Sequence, residues 1–255
     1  MANSPIIQVQ DVTVGYGSTI VLQDVSFEVE AGEIFGILGG SGSGKSTLLK
    51  AMIGLVKPLR GTILIDGTNI GTAEGEERLR LLRKIGVAYQ SGALFGSMTV
   101  QTNVALALEE FTDLPAEAIA QIAQMKLRAV GLQAAAYKMP AELSGGMRKR
   151  AAIARALALD PQILFLDEPS AGLDPITSAQ LDELILGLAR ELGITFVLVT
   201  HELPSIFAVT DRVILVEREA RTVIARGKPE ELRDQSDNPL VRQFFRRQLR
   251  EPVPA

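Results

Sequence analysis

Ile34-Phe-Gly-Ile-Leu38, then Gly39-Gly-Ser-Gly-Ser-Gly-Lys45-Ser46, then Thr47-Leu-Leu-Lys-Ala-Met-Ile53 is the stretch that decides how this chain of 255 residues folds. The nearly continuous apolar run reads as a short strand buried on both faces of a parallel sheet. The next segment matches G-x-x-x-x-G-K-[ST], and the residues after it read as a helix. A loop of Gly39, Gly40, Ser41, Gly42, Ser43 and Gly44 lets backbone N–H groups close around a polyphosphate, with the helix start adding its positive end. Lys45 then reaches the β- and γ-phosphates, the Ser46 hydroxyl is a ligand for Mg²⁺, and Thr47 is counted with the phosphate-binding residues. The alternative is a glycine-rich turn with a surface lysine, which needs neither the strand before it nor the helix after it.

Outward from that loop, Ile163-Leu-Phe-Leu166 and Ile194-Thr-Phe-Val-Leu-Val199 repeat the strand signature, each followed by polar or glycine-rich residues and a helix-like segment. Leu181, Leu184, Ile185, Leu188 and Leu192 recur at helical spacing between them. Repeated strand–helix units make a parallel sheet with helices packed on it. Val9 to Val14, Val21 to Val29 and Thr62 to Ile65, separated by Gly15-Tyr-Gly17 and Ala31-Gly-Glu33, read instead as antiparallel strands and turns. Residues from about 99 to 159 carry a helical, alanine-rich pattern. The predicted fold is α/β: a P-loop NTPase parallel-sheet core with an N-terminal antiparallel β subdomain and an inserted helical subdomain, together residues 1–236. Residues 237–255 form an extension whose Leu240, Val241, Phe244, Phe245 and Leu249 suit one face of a short amphipathic helix. It either clasps a neighbouring subunit or lies on its own domain.

Composition removes several classes of function. Net charge is −4, so the overall field repels nucleic acid and offers no pull toward anionic lipid. No cysteine and one histidine exclude a disulfide framework and make a zinc site implausible. The charge-free stretch from Ile85 to Leu108 contains Gln90, Ser91, Ser97, Thr99, Gln101, Thr102 and Asn103, and has no unbroken apolar run of about 18 residues. It does not read as a membrane span.

Two further segments carry chemistry. At Ile163-Leu-Phe-Leu-Asp167-Glu168 the strand ends in carboxylates. Asp167 suits Mg²⁺ held through water, and Glu168 suits a general base that polarises an attacking water. Leu143-Ser-Gly-Gly-Met147 begins a second helix, with Ser144 as natural N-cap and Gly145 and Gly146 exposing backbone N–H groups. One triphosphate needs a single cradle. The economical reading is a dimer in which this helix start covers the nucleotide of the other copy; the plainer one is an ordinary cap.

In these segments the chain resembles the nucleotide-binding subunits of ABC transporters. Leu143–Met147 is similar to the family signature, Gln90 to its Q-loop glutamine, and Ala171-Gly-Leu-Asp174 to its D-loop. His201 resembles the switch histidine and Tyr16 the aromatic residue on which adenine stacks. The resemblance implies an ATPase that binds ATP and Mg²⁺ in a head-to-tail homodimer. Glu168, His201 and Gln90 are then catalytic, Ser46, Gln90 and Asp167 hold the metal, and Ser144, Gly145, Gly146 and Asp174 meet the partner's nucleotide. Each residue has a plainer reading: Tyr16 as a turn aromatic, Gln90 as loop filler, His201 as a core or surface histidine, Asp174 as a cap for the helix from Ile176. Arg148, Lys149 and Arg150 read as a solvated helix face. Where the signature often ends in Gln, this chain has Met147, so contacts there fall to Ser144 and the glycine backbone.

Gln90-Ser-Gly-Ala-Leu-Phe95, Met147 and Asp174-Pro-Ile-Thr177 resemble the ATPases of Mla-type phospholipid transport systems. That branch implies integral membrane permease subunits, an MCE-domain lipid-binding protein, and a peripheral place on the cytoplasmic face of a bacterial inner membrane. ATPases of other importers or exporters share every catalytic residue. A small-molecule kinase would have no use for Leu143–Met147.

Overall fold

The computed structural model describes residues 5–246, which divide into two compact units, one up to Gly71 and again from Val199, the other Thr72–Leu198.

In the first unit, β1 (Ile7–Tyr16) and β2 (Thr19–Val29) form an antiparallel hairpin, and β4 (Arg60–Ile65) and β5 (Thr68–Asn69) extend it in the order β2-β1-β4-β5. Alternating Ile7, Val9, Val12 and Val14 are buried, as the pleat requires for one covered face. The register breaks between Gln10 and Thr13, where Asp11 takes a φ of 47° and its carboxylate accepts from Ser26 Oγ. The same unit holds β3 (Ile34–Leu38), parallel to β9 (Arg212–Glu217), which pairs antiparallel with β10 (Thr222–Gly227). All five residues of β3 are buried. Helices α1 (Lys45–Met52), α7 (Leu203–Val209), α8 (Pro229–Gln235) and α9 (Pro239–Arg246) complete it.

In the second unit, β6 (Ile85–Ala88) runs parallel to β7 (Ile163–Asp167). Around them lie α2 (Gly75–Arg83), α3 (Val100–Phe111), α4 (Ala116–Ala129), α5 (Gly145–Ala156) and α6 (Pro175–Leu192). Residues 99–159 hold α3, α4 and α5, whose buried side chains include Val104, Leu108, Ala123, Leu127 and Ile153. Strand β8 (Thr195–Thr200), buried throughout, crosses the division at Leu198. Strands β3, β7 and β8 fall on the three apolar runs predicted, whereas β6 and β9 were not predicted, and the class is α/β with an antiparallel N-terminal sheet.

The described part of the C-terminal extension lies on its own unit. Val241 and Phe245 of α9 are buried against Leu38, Ile206, Val213 and Leu215, and Phe245 meets Phe207 edge-on at 5.9 Å. Leu249, assigned to the same apolar face, lies outside the described residues.

Candidate active site

The phosphate-loop residues lie in the first unit. Leu38 ends β3 inside the core, and the chain then turns through Gly39–Gly44 into α1. Gly44 caps α1 with φ 102°, where a Cβ would lie 2.8 Å from both Val21 and Leu22 side chains. Only glycine fits that conformation and that approach. Lys45 is buried, and its Nζ donates to the carbonyls of Gly39 at 2.9 Å and Gly40 at 3.0 Å. The ammonium is thus set across the loop. Ser46 is exposed on the first turn of α1, Thr47 is half-buried, and that turn carries no acidic residue to compete for its N–H groups. Tyr16 ends β1 with 52% of its surface exposed, free to offer a ring face. His201 is exposed directly after the buried Thr200 at the end of β8.

The remaining predicted residues lie in the second unit, in two groups. In the first, Asp167 ends β7, and Glu168 follows, buried, with a φ of 47°. Lys149 of α5 turns toward them: its Nζ donates to the Gln90 carbonyl at 2.7 Å and the Glu168 carbonyl at 2.9 Å. Burial lowers the Lys149 pKa, opposed by the nearby charges of Glu168 and Asp167. The reading of Lys149 as solvated is therefore corrected; Arg148 does stand exposed, although its Nη1 donates to the Leu143 carbonyl at 2.7 Å. Arg155, which the sequence did not single out, binds the Ala93 carbonyl at 2.6 Å and the Gly92 carbonyl at 3.1 Å. Beside it Tyr89 is raised in pKa, first by burial and then by the charge of Asp167, with Arg155 opposing.

The second group joins the helix start of α5 to that of α6. Ser144 Oγ accepts from Met147 N at 3.3 Å, the capping bond expected of it. Asp174 Oδ1 accepts from the N–H groups of Ile176 at 3.1 Å and Thr177 at 3.0 Å, so it caps α6. Thr177 Oγ1 donates to Asp174 Oδ2 at 2.5 Å, the largest cause holding that carboxyl below the usual range. The other side of Thr177 meets α5: a Cβ on Gly146 would stand 2.5 Å from its Cγ2.

Near the Gln90 loop is an open, largely apolar groove of about 460 Å³, lined by Leu82, Ile85, Val87, Phe95, Leu106 and Phe111 together with Arg155 and Ala156 of α5. The buried Asn103, noted in the sequence only as a polar residue, shapes this loop. Its amide accepts from Phe95 N at 2.7 Å and donates to the carbonyls of Phe95, Met98 and Thr99 at 3.0–3.2 Å.

The first unit thus holds a glycine loop crossed by a buried lysine at the head of a helix, and the second a buried glutamate after an apolar strand. The ABC transporter family model matches residues 22–171, and the chain belongs to that family as an ATP-binding ATPase subunit. Among its relatives, "Intermembrane phospholipid transport system ATP-binding protein MlaF" of Escherichia coli is 43% identical over 98% of this chain and 91% of its own length. "Probable ribonucleotide transport ATP-binding protein mkl" is 43% identical in Mycobacterium leprae and 42% in Mycobacterium tuberculosis. The chain spans 68% and 66%, about two thirds, of those longer mycobacterial proteins. A dimeric ATP-binding cassette in a post-hydrolysis state bound to ADP and Pi superposes with TM-score 0.78 at 32% identity, covering 87% of this chain and 98% of that one. A part of the cbiONQ ABC transporter complex of Clostridium perfringens superposes with TM-score 0.82 at 32% identity, covering 91% of each.

Proposed function

We propose that this chain is the motor of a phospholipid transporter, hydrolysing ATP as a head-to-tail homodimer beneath a membrane permease. The near full-length relation to the phospholipid-transport ATPase of Escherichia coli carries the cargo assignment. Lys45 and the loop backbone bind the β- and γ-phosphates, and Tyr16 lies against adenine. Ser144, Gly145 and Gly146 of one copy face the γ-phosphate held by the other, with Asp174 at the dimer junction. Glu168 orients and deprotonates the water, while His201 and Gln90 steady the γ-phosphate. Mg²⁺, when bound, neutralises charge on the phosphates. Ser46, Asp167 and Gln90 are hard oxygen donors that suit it. Hydrolysis places like charges beside each other, and the dimer reopens.

Residues Gln90 to Val100 pass this motion to the permease, whose cytoplasmic segment seats in the groove beside Phe95. No helix among the described residues is long and apolar enough to cross a membrane. The permease holds the motor at the cytoplasmic face of the inner membrane, and an MCE-domain protein receives or supplies the lipid.

Glu168→Gln is expected to bind ATP normally, lose turnover by about 100-fold or more, and accumulate as a closed dimer on size-exclusion chromatography with ATP. Turnover at the wild-type rate overturns the base assignment. For the cargo, affinity capture from membranes in mild detergent should recover a permease, an MCE-domain protein and phospholipid. A ribonucleotide, sugar or amino-acid permease in their place overturns the lipid assignment and leaves the motor intact.

A further inference from the structure

We infer that Lys149 is a positioning residue for hydrolysis, fixing the backbone of Glu168 and the Gln90 loop to the signature helix through a single ammonium. The inference rests on Glu168 being the base. Glu168 is a non-glycine residue at φ 47°, in the left-handed region, a conformation that persists only where its surroundings impose it. Its carbonyl takes an N–H from Ala171 at 3.3 Å and the Lys149 ammonium at 2.9 Å. A charged donor bonds about twice as strongly as a neutral one, so the lysine is the firmer of these two restraints.

The same Nζ holds the Gln90 carbonyl at 2.7 Å, and it is sent inward from the fifth residue of α5, the helix that Ser144 caps. Farther along α5, Arg155 takes the carbonyls of Gly92 and Ala93, whose φ angles of 77° and 47° also lie in the left-handed region. Two cations of one helix thus hold the turn at Gln90, Gly92 and Ala93, and one of them also holds the base. When α5 is seated by a partner's nucleotide, Glu168 is set with it. When α5 swings away, the base is released from its attacking position.

Lys149→Met keeps the side-chain length and removes every donor. Its kcat should fall about 10- to 100-fold, as for a reacting group displaced by about 1 Å. KM for ATP should stay within about twofold, because the loss falls on the reacting state alone. Lys149→Arg, which keeps several N–H donors, should recover most of the rate. The deciding measurement is a double-mutant cycle by single-turnover hydrolysis: in the Glu168→Gln background, Lys149→Met should cost less than about threefold, since the group it positions is already lost. A wild-type kcat for Lys149→Met overturns the inference, as does an equal loss in both backgrounds. If Lys149→Met is insoluble, Lys149→Ala, which also removes every donor, is read on the same comparisons. Glu168→Gln alone at the wild-type rate sinks the base assignment and this inference together, a result distinct from either of those.

Discussion

One methyl group added at Gly146 measures how tightly the signature helix is seated against α6. The new Cβ would stand 2.5 Å from Thr177 Cγ2, about 1 Å inside ordinary contact, with Thr177 Cβ next at 3.9 Å. Thr177 is not free to rotate away, because its hydroxyl and N–H both bind Asp174. Either α5 shifts or the cap of α6 breaks. Overpacking of this kind costs about 1–3 kcal/mol, and alanine over glycine in a helix returns about 1 kcal/mol. The net change in stability is therefore small, about 2 kcal/mol at most, which moves the melting temperature by roughly 4–8 °C in a chain of this size. The rate is more sensitive: a shift of about 1 Å at Ser144 to Gly146 should slow ATP turnover by up to about 100-fold. Thr177→Ser removes the clashing methyl and keeps the hydroxyl. The double variant Gly146→Ala/Thr177→Ser should return to within about threefold of Thr177→Ser alone. Steady-state ATPase rates and thermal melts of the four proteins decide it. A double variant as slow as Gly146→Ala refutes the packing account, since the methyl would then act on the nucleotide side of the helix.

Two other substitutions probe parts of the site that depend on single residues. Asn103→Ala strips the loop at Phe95 of four hydrogen bonds. It should cost about 2–4 kcal/mol and lower the melting temperature by roughly 5–15 °C in denaturation assays; a melt within about 2 °C of wild type would show that the loop is held by something else. Gly44→Ala places a Cβ 2.8 Å from Val21 and Leu22 at φ 102°. ATP affinity measured by calorimetric titration should weaken by more than about tenfold, and an unchanged affinity would refute the role given to this turn.

Reading the sequence located the parts of the site that follow local backbone rules. Strand, glycine turn and helix stand together from Ile34 to Met52, Ser144 caps α5 as its position demanded, and Asp174 caps α6. What stayed hidden is joined across long stretches of chain. Lys149 reaches a carbonyl 59 residues away and Arg155 one 62 residues away, and such bonds to backbone leave no mark in the spacing of side chains. A basic run on a helix reads as solvated, and for Lys149 that rule fails because carbonyls wait on the covered side. Among the strands, β6 escaped notice because it has four residues and contains Gly86. That glycine is set by tertiary contact: a Cβ there would stand 2.3 Å from the Ala156 carbonyl. The Val213–Val216 run of β9 was missed for a different reason, being apolar yet enclosed by Arg212 and Glu217 in a region without a motif to anchor it.

These hidden contacts have a consequence for how force travels within the second unit. Arg155 and Ala156 belong both to the lining of the apolar groove and to the last turn of α5. The twelve residues of α5 span about 18 Å, and this one helix runs from the groove to the residues capped by Ser144. On the way it passes Lys149, one hydrogen bond from the backbone of Glu168 and one from Gln90. The groove, the start of α5 and the backbone of Glu168 are thus joined by a single helix and two ammonium bonds. Coupling in the opposite direction follows by reciprocity: a ligand of the groove that changes the affinity for nucleotide by some factor has its own affinity changed by nucleotide by the same factor.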